Sequence, residues 1–245
     1  MNKDTFWKII DDARNSGIAP NDQTAMLNAT VKELLNYPST EIAAWHRIQH
    51  FYHKIAYRRD LWAACTATRS HDTDDGFIDF RSWLISQGRE VYLCALHDPD
   101  SLAGLDFPPG AADFEAFGSV AHGAYAMKAA LESQDLKSIL HDCCVWTAEN
   151  AAQIYRNCEA YHIDEAQKEV WLVERYVQQL SQKFDIYPAS MVEPLDAETN
   201  RDIFTEIHLG PDIDWWEQQD LPHIVPRLYE KFCVEVAQDY GRGDD

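Results

Sequence analysis

Apolar residues return along this chain every three or four positions, in short runs that capping and breaking residues interrupt. Phe6, Ile9, Ile10 and Ala13 share one face of a helix predicted over residues 5–14, with Asp4 placed to cap it and Gly17 just beyond its end. Asn21 or Asp22 opens a second helix carrying Leu27, Val31, Leu34 and Leu35, which must stop before Tyr37 and Pro38. Ser39 or Thr40 caps a third, where Ile42, Trp45, Ile48, Tyr52 and Ile55 recur at helical spacing. A helix over 60–68 ends in a polar loop at 70–76. The next, over 77–87, aligns Phe77, Phe80, Trp83 and Leu84, with Gly88 as its stop and a further helix over 89–96 in a new direction.

Residues 98–112 read as a long connection, because Asp98-Pro99-Asp100 and Pro108-Pro109-Gly110 cannot continue a helix. Helical spacing resumes over 113–132, 135–155 and 164–184, the last opened by Asp164 with Gln167 completing a capping box. A second linker over 185–198 leads to short helices over 200–209 and 222–239, and 241–245 reads as a frayed tail. No alternating strand pattern and no internal repeat occurs, so the fold is expected to be all-α: an irregular multi-helix protein, one domain with an acidic helical insertion. Residues 1–105 would form its core, and 106–245 would complete the same domain or form a second lobe.

The 245 residues are near the upper end of a single domain, and their 46% apolar content is enough to bury a core. No basic, apolar leader pattern begins the chain, and no stretch has the roughly 18 apolar residues of a membrane span, so a cytoplasmic location is expected. Cys65, Cys94, Cys143, Cys144, Cys158 and Cys233 follow no paired spacing and read as reduced, buried small hydrophobes.

Charge changes the picture most. Residues 1–97 carry 12 Asp and Glu against 11 Lys and Arg, a net of −1, whereas 98–245 carry 29 against 10, a net of −19. A surplus that repels itself in the folded state points to solubility or to a basic protein partner, and it disfavours nucleic acid, which needs Lys and Arg to displace counterions.

Three groups of residues could carry function. Asp72, Asp74, Asp75 and Asp79 crowd around Gly76, with Arg81 and Arg89 behind them. They offer either oxygen ligands or a general base, or simply an Asp74 or Asp75 cap on the helix that follows. His46, His50 and His53 share a helical face, yet Arg47 stands where the zincin motif has Glu and no third kind of ligand is near, so no metal and no cofactor is expected. Trp215 and Trp216 lie among Asp212, Asp214, Glu217 and Asp220, and neighbours in sequence cannot both face one core. Either one of them is an anchor on an acidic interface, or they pack on two sides of one helix.

Asp4-Thr5-Phe6-Trp7, Ile10-Asp11, the run from Tyr57 to Ala64, Asp74-Asp75-Gly76-Phe77, the run from Asp79 to Arg89 and the run from Asp98 to Ala103 together resemble a bacterial family known as domain of unknown function 4240. The resemblance is dense over 4–105, thin at Ala124-Tyr125 and Pro226-Arg227-Leu228, and leaves 130–208 uncovered; Thr73 stands where the family usually has Ser. It implies a cytosolic bacterial protein without an assigned activity. Proteins of this kind are similar to accessory products of polymorphic toxin loci, immunity proteins among them. Two readings follow: an immunity protein that occludes a basic toxin domain through its acidic surface, with no catalytic residues of its own, or an enzyme or ligand-binding domain using the polar cluster at 71–90.

Overall fold

The first helix begins two residues earlier than its capping pattern suggests. Asn2, not Asp4, accepts the Thr5 N–H at 2.9 Å, and α1 runs Lys3–Arg14. Asp4 sits in the first turn and pairs with Arg89 at 3.0 Å instead. The computed structural model describes residues 1–19, 21–68, 73–132 and 188–234. The helices expected over 135–155 and 164–184, the end of the 222–239 helix, the tail, Asp72, Cys143, Cys144 and Cys158 lie outside them.

The elements that follow are α2 (Gln23–Leu34), α3 (Ser39–Ile55), α4 (Arg59–Ala67), α5 (Asp74–Ser86) and α6 (Arg89–His97). A 3-10 helix (Pro99–Gly104), α7 (Glu115–Gly118), α8 (Val120–Glu132), α9 (Ala189–Val192) and α10 (Ala197–Phe204) come next. A 3-10 turn (Gln218–Asp220), α11 (Leu221–Ile224), α12 (Pro226–Tyr229) and a π turn (Glu230–Val234) complete the order, so every regular element among the described residues is helical. The pattern over 113–132 is two helices, broken at Gly118 and Ser119, where one was expected. Residues 205–217, in which the Trp pair falls, are largely irregular, so the two rings are not on opposite sides of a helix.

Capping selects between the sequence alternatives at one start and corrects the reading at two others. Asp22 caps α2 through the Ala25 N–H. Pro38 precedes α3 with no side-chain cap, because the Ser39 N–H and hydroxyl are taken by the Glu132 carboxylate on α8. Thr73 caps α5 by accepting the Gly76 N–H at 3.2 Å, which leaves Asp74 and Asp75 as first-turn residues favoured by the helix dipole. Gly88 is required twice over: its φ is +91°, and a Cβ there would lie 2.7 Å from the Asp11 carboxylate.

The core is aromatic at its centre. Phe6, Trp7, Trp45, Tyr52 and Tyr92 are fully buried or nearly so, and their rings meet at centroid distances of 4.7–5.3 Å. Truncating one such ring to Ala costs about 3–5 kcal/mol, so this cluster locks α1, α3 and α6 together. Ile203, Leu221, Val225, Leu228 and Phe232 belong to the same core, which brings residues 188–234 onto the helices of the first half. Cys65 is buried, but Cys94 is exposed, contrary to the expectation for the thiols.

Three polar joints hold that second half in place. Glu206 accepts from Trp7 Nε1 at 3.2 Å, from the Tyr52 hydroxyl, and from Arg89 Nε and Nη2 at 2.9 and 2.5 Å. Buried Asp100 accepts the backbone N–H groups of Arg227 and Leu228 at 3.1 and 2.9 Å and Arg227 Nε at 2.9 Å, while Asp98 takes Arg227 Nη2 at 2.8 Å. Arg58, paired with buried Asp60, donates to the carbonyls of Gly210 and Pro211, and the Gly210 backbone runs so close to the His97 carbonyl that a Cβ would collide with it.

Candidate functional site

Helical spacing puts His46, Gln49, His50 and His53 on one side of α3, and packing turns that side toward α5 and the α7 end. Between them lies an open groove of about 590 Å³, faced by Asp75, Ile78, Asp79 and Ser82 from α5 and by Glu115, Gly118 and Ser119 around α7. Two groups that the sequence left apart, the His stripe and part of the acidic cluster, therefore share one site. Glu115, Ser82, Gln49 and His122 were not singled out by sequence, because their approach depends on the break between α7 and α8.

His122 on α8 packs against His46 with ring centroids 4.4 Å apart and planes tilted by 54°, and His46 lies 6.4 Å from His50. Burial disfavours the charged form of all four imidazoles. It pushes His46 down to about 4, helped by the neighbouring rings of His122 and His50. His53 is also pushed down to about 4, by burial first and by the Arg81 guanidinium second. His50 is lowered by burial, Lys54 and Arg81, and His122 by burial. His53 Nε2 makes a hydrogen bond with the Ile78 carbonyl at 3.0 Å, which fixes one end of the groove. Beneath it the side chains of His46 and Gln49 interact, an interaction that opposes the lowering of the His46 pKa, and His46 Nδ1 and Gln49 Oε1 are both closed off from solvent. Gln49 donates through Nε2 to the Phe117 carbonyl at 2.8 Å, which orients its oxygen.

The polar cluster of residues 71–90 does not form one site. Asp75 and Asp79 face the groove, Asp74 is exposed at the start of α5, and Arg81 points inward. Its guanidinium stacks over Tyr57 at 4.9 Å and Phe77 at 4.8 Å and donates to the carbonyls of Phe77 and His53 at 3.1 and 2.9 Å. Arg81 is thus a core cation that ties α5 to α3. Among the described residues no group of three or more His, Cys, Asp or Glu is arranged to hold a metal ion.

The Trp pair divides. Trp216 is half-buried and donates through Nε1 to the Arg59 carbonyl at 2.8 Å, whereas Trp215 is 74% exposed. Asp212, Asp214 and Glu217 around it are exposed, and Asp220 is turned back to accept the Glu217 N–H at 2.8 Å. From Phe204 to Pro226 there is no Lys or Arg. Arg58, the residue before α4, and Arg59, its first, donate to the carbonyls of Gly210, Pro211 and Ile213, so this acidic segment is pinned to the core while the Trp215 ring is left outside.

No helix among the described residues is long and apolar enough to cross a membrane. Neither a curated protein nor a solved structure matches the chain. A family model described as Protein of unknown function (DUF4240) matches residues 1–127, the half that supplies α1 to α6 and both α-helical walls of the groove, and the chain therefore belongs to the DUF4240 family.

Proposed function

We propose that the protein is a cytoplasmic immunity factor that binds a basic toxin domain and blocks it by occlusion, with no chemistry of its own. The observation that carries this reading is Trp215: a large aromatic ring, 74% exposed, on an acidic segment whose backbone is tied to α4. An aromatic anchor ringed by charge is the composition of an interface centre and its rim, and a segment already ordered by the core loses little further freedom on binding. The acid surplus after residue 97 would steer a Lys- and Arg-rich partner toward this face. The toxin class of the partner comes from the resemblance to products of polymorphic toxin loci.

The test is co-expression with a neighbouring toxin-like gene, read as growth rescue and co-purification. Trp215→Ala should weaken the complex by at least about 2 kcal/mol. Association should slow on the order of tenfold between low and physiological salt. A protein that neither rescues growth nor co-purifies would fail this reading. A second reading, a ligand-binding domain, is favoured by the groove where Asp75 and Asp79 meet the His stripe.

A further inference from the structure

A second cavity, of about 340 Å³, lies between the end of α1, the start of α2, the end of α5 and the connection over 105–114. Polar side chains at the start of α2 hold its walls together: Asn21 Nδ2 donates to the Asp106 carbonyl at 3.3 Å, and Gln23 donates to the Asp113 carbonyl. Its floor is apolar and largely aromatic. Met26, Trp83, Phe107 and Phe114 are each no more than 5% exposed, and the Trp83 and Phe107 rings meet at 5.0 Å. A mostly apolar space with a few placed polar groups, at the small end of the roughly 300–1,000 Å³ of ligand sites, suits one compact molecule with a ring.

Two donors in this lining are uncommitted. Trp83 is 3% exposed, and among the described residues nothing accepts its indole N–H, whereas the indoles of Trp7, Trp45 and Trp216 each have an acceptor. A buried N–H is normally paired, and this one is not sealed off from solvent, so it opens into the cavity that Trp83 borders. Arg14 uses Nη1 alone, on the Ser86 carbonyl at 3.1 Å and on Gln87 Oε1 at 3.2 Å. Its Nε and Nη2 edge, which can pair side-on with a carboxylate, donates to nothing among the described residues, and Asp11 acts on it only through space. The carboxylates of the lining, Asp22 and Asp106, are exposed, and Asp22 holds the Ala25 N–H as the cap of α2. Because both uncommitted groups are donors, the molecule that satisfies them brings acceptors, and a cation would set donor against donor.

We propose that this cavity binds a small aromatic carboxylate, with its carboxylate on the free edge of Arg14, its ring on Met26, Trp83, Phe107 and Phe114, and a second oxygen accepting the Trp83 indole N–H. Such a site is independent of the immunity reading and needs no protein partner.

The test titrates the full chain with 4-methoxyphenylacetate at neutral pH and follows the indole N–H resonances, with Trp83→Phe to assign the one in question. Saturable binding that moves the Trp83 resonance is expected. The neutral 4-methoxyphenylacetamide and the cationic 4-methoxyphenethylamine should each bind at least about tenfold more weakly. In 4-ethylphenylacetate a methylene replaces the ether oxygen, so its binding should be weaker and should leave the Trp83 N–H without an acceptor. Arg14→Gln, at an exposed side chain, should weaken the methoxy acid by about tenfold, whereas Lys8→Gln on the same helix should leave it unchanged. A thermal melt of each variant shows that it is folded, and if Trp83→Phe is not, the methoxy and ethyl acids still compare the ligand with and without its acceptor. Absence of saturable binding, an amide or amine that binds as well as the acid, a Trp83 resonance that does not move at saturation, or a folded Arg14→Gln variant that binds like the parent would overturn the site.

Discussion

Glu206 and Asp100 on one hand, and Asp212, Asp214 and Glu217 on the other, come from the same acid-rich part of the chain and do opposite things. Glu206 gathers Trp7, Tyr52 and Arg89, and Asp100 gathers Arg227 and the start of α12, so these carboxylates are enclosed among donors and act as joints. The other three are exposed around Trp215 and touch little. The difference shows that an acid count from sequence is not an acid count of the surface. A carboxylate enclosed among donors contributes to stability, and one left in water contributes charge to the field that a partner meets.

The largest expected effect tests the enclosed side. Glu206→Ala leaves Arg89 with Asp4 alone, and removes the acceptor of Trp7 and Tyr52 inside the aromatic core. Leaving two core donors without their acceptor costs about 2–3 kcal/mol, which urea unfolding would register. Asp212→Ala at the exposed face should change stability by less than about 0.5 kcal/mol. Equal losses at the two positions would erase the comparison.

Next comes pH, which probes the groove. His46 and His53 have folded values of about 4 against the ordinary 6.5, so between these limits the unfolded chain binds protons that the folded chain refuses. Stability is therefore lost as pH falls below 6.5, and the loss levels off below about 4. At about 1.4 kcal/mol per decade of proton affinity, pH 5 costs each ring on the order of 2 kcal/mol relative to neutral pH. Chemical unfolding at the two pH values measures it, and a His53→Asn variant should lose roughly its share of the difference. A flat profile would mean that the rings are already solvated.

The sequence carried the helical character of the described fold and most element positions, because apolar periodicity is a local property: Phe6, Ile9, Ile10 and Ala13 are buried on α1 as their spacing implied. It did not carry where polar side chains end up. Asp98 and Asp100 resembled the family at one place and Arg227 at another, and their union in a single joint is a tertiary event. Asp79 and Arg81 were neighbours in a motif, yet two positions along a helix turn a side chain most of the way round, so one faces the groove and the other the core. The groove itself needed the break at Gly118 and Ser119, and nothing in the spacing of 113–132 marked it.

The Trp pair gives a sharper contrast at smaller magnitude. Trp216→Ala removes a half-buried ring packed on the core and its hydrogen bond to Arg59, for a loss of about 2 kcal/mol. Trp215→Ala should be silent in the same unfolding measurement, within about 0.5 kcal/mol, while it weakens any complex. A Trp215 variant that unfolds as early as the Trp216 variant would show that the outer ring is part of the core.

The smallest effect separates a cap from the charges beside it. Thr73 accepts the Gly76 N–H and so satisfies one of the orphan donors at the start of α5, whereas Asp74 and Asp75 are exposed and act only through the helix dipole. Thr73→Ala should cost about 1 kcal/mol, and Thr73→Ser, which keeps the hydroxyl acceptor, a few tenths at most. Asp74→Ala and Asp75→Ala should each cost about 0.3–1 kcal/mol at low ionic strength and lose most of that effect in salt, because dipole interactions at a surface are screened. The salt dependence discriminates where the magnitudes alone are close: a Thr73→Ala loss that fades with salt, or an Asp pair whose loss does not, would place the cap on the carboxylates after all and return them to the enclosed class with Glu206 and Asp100.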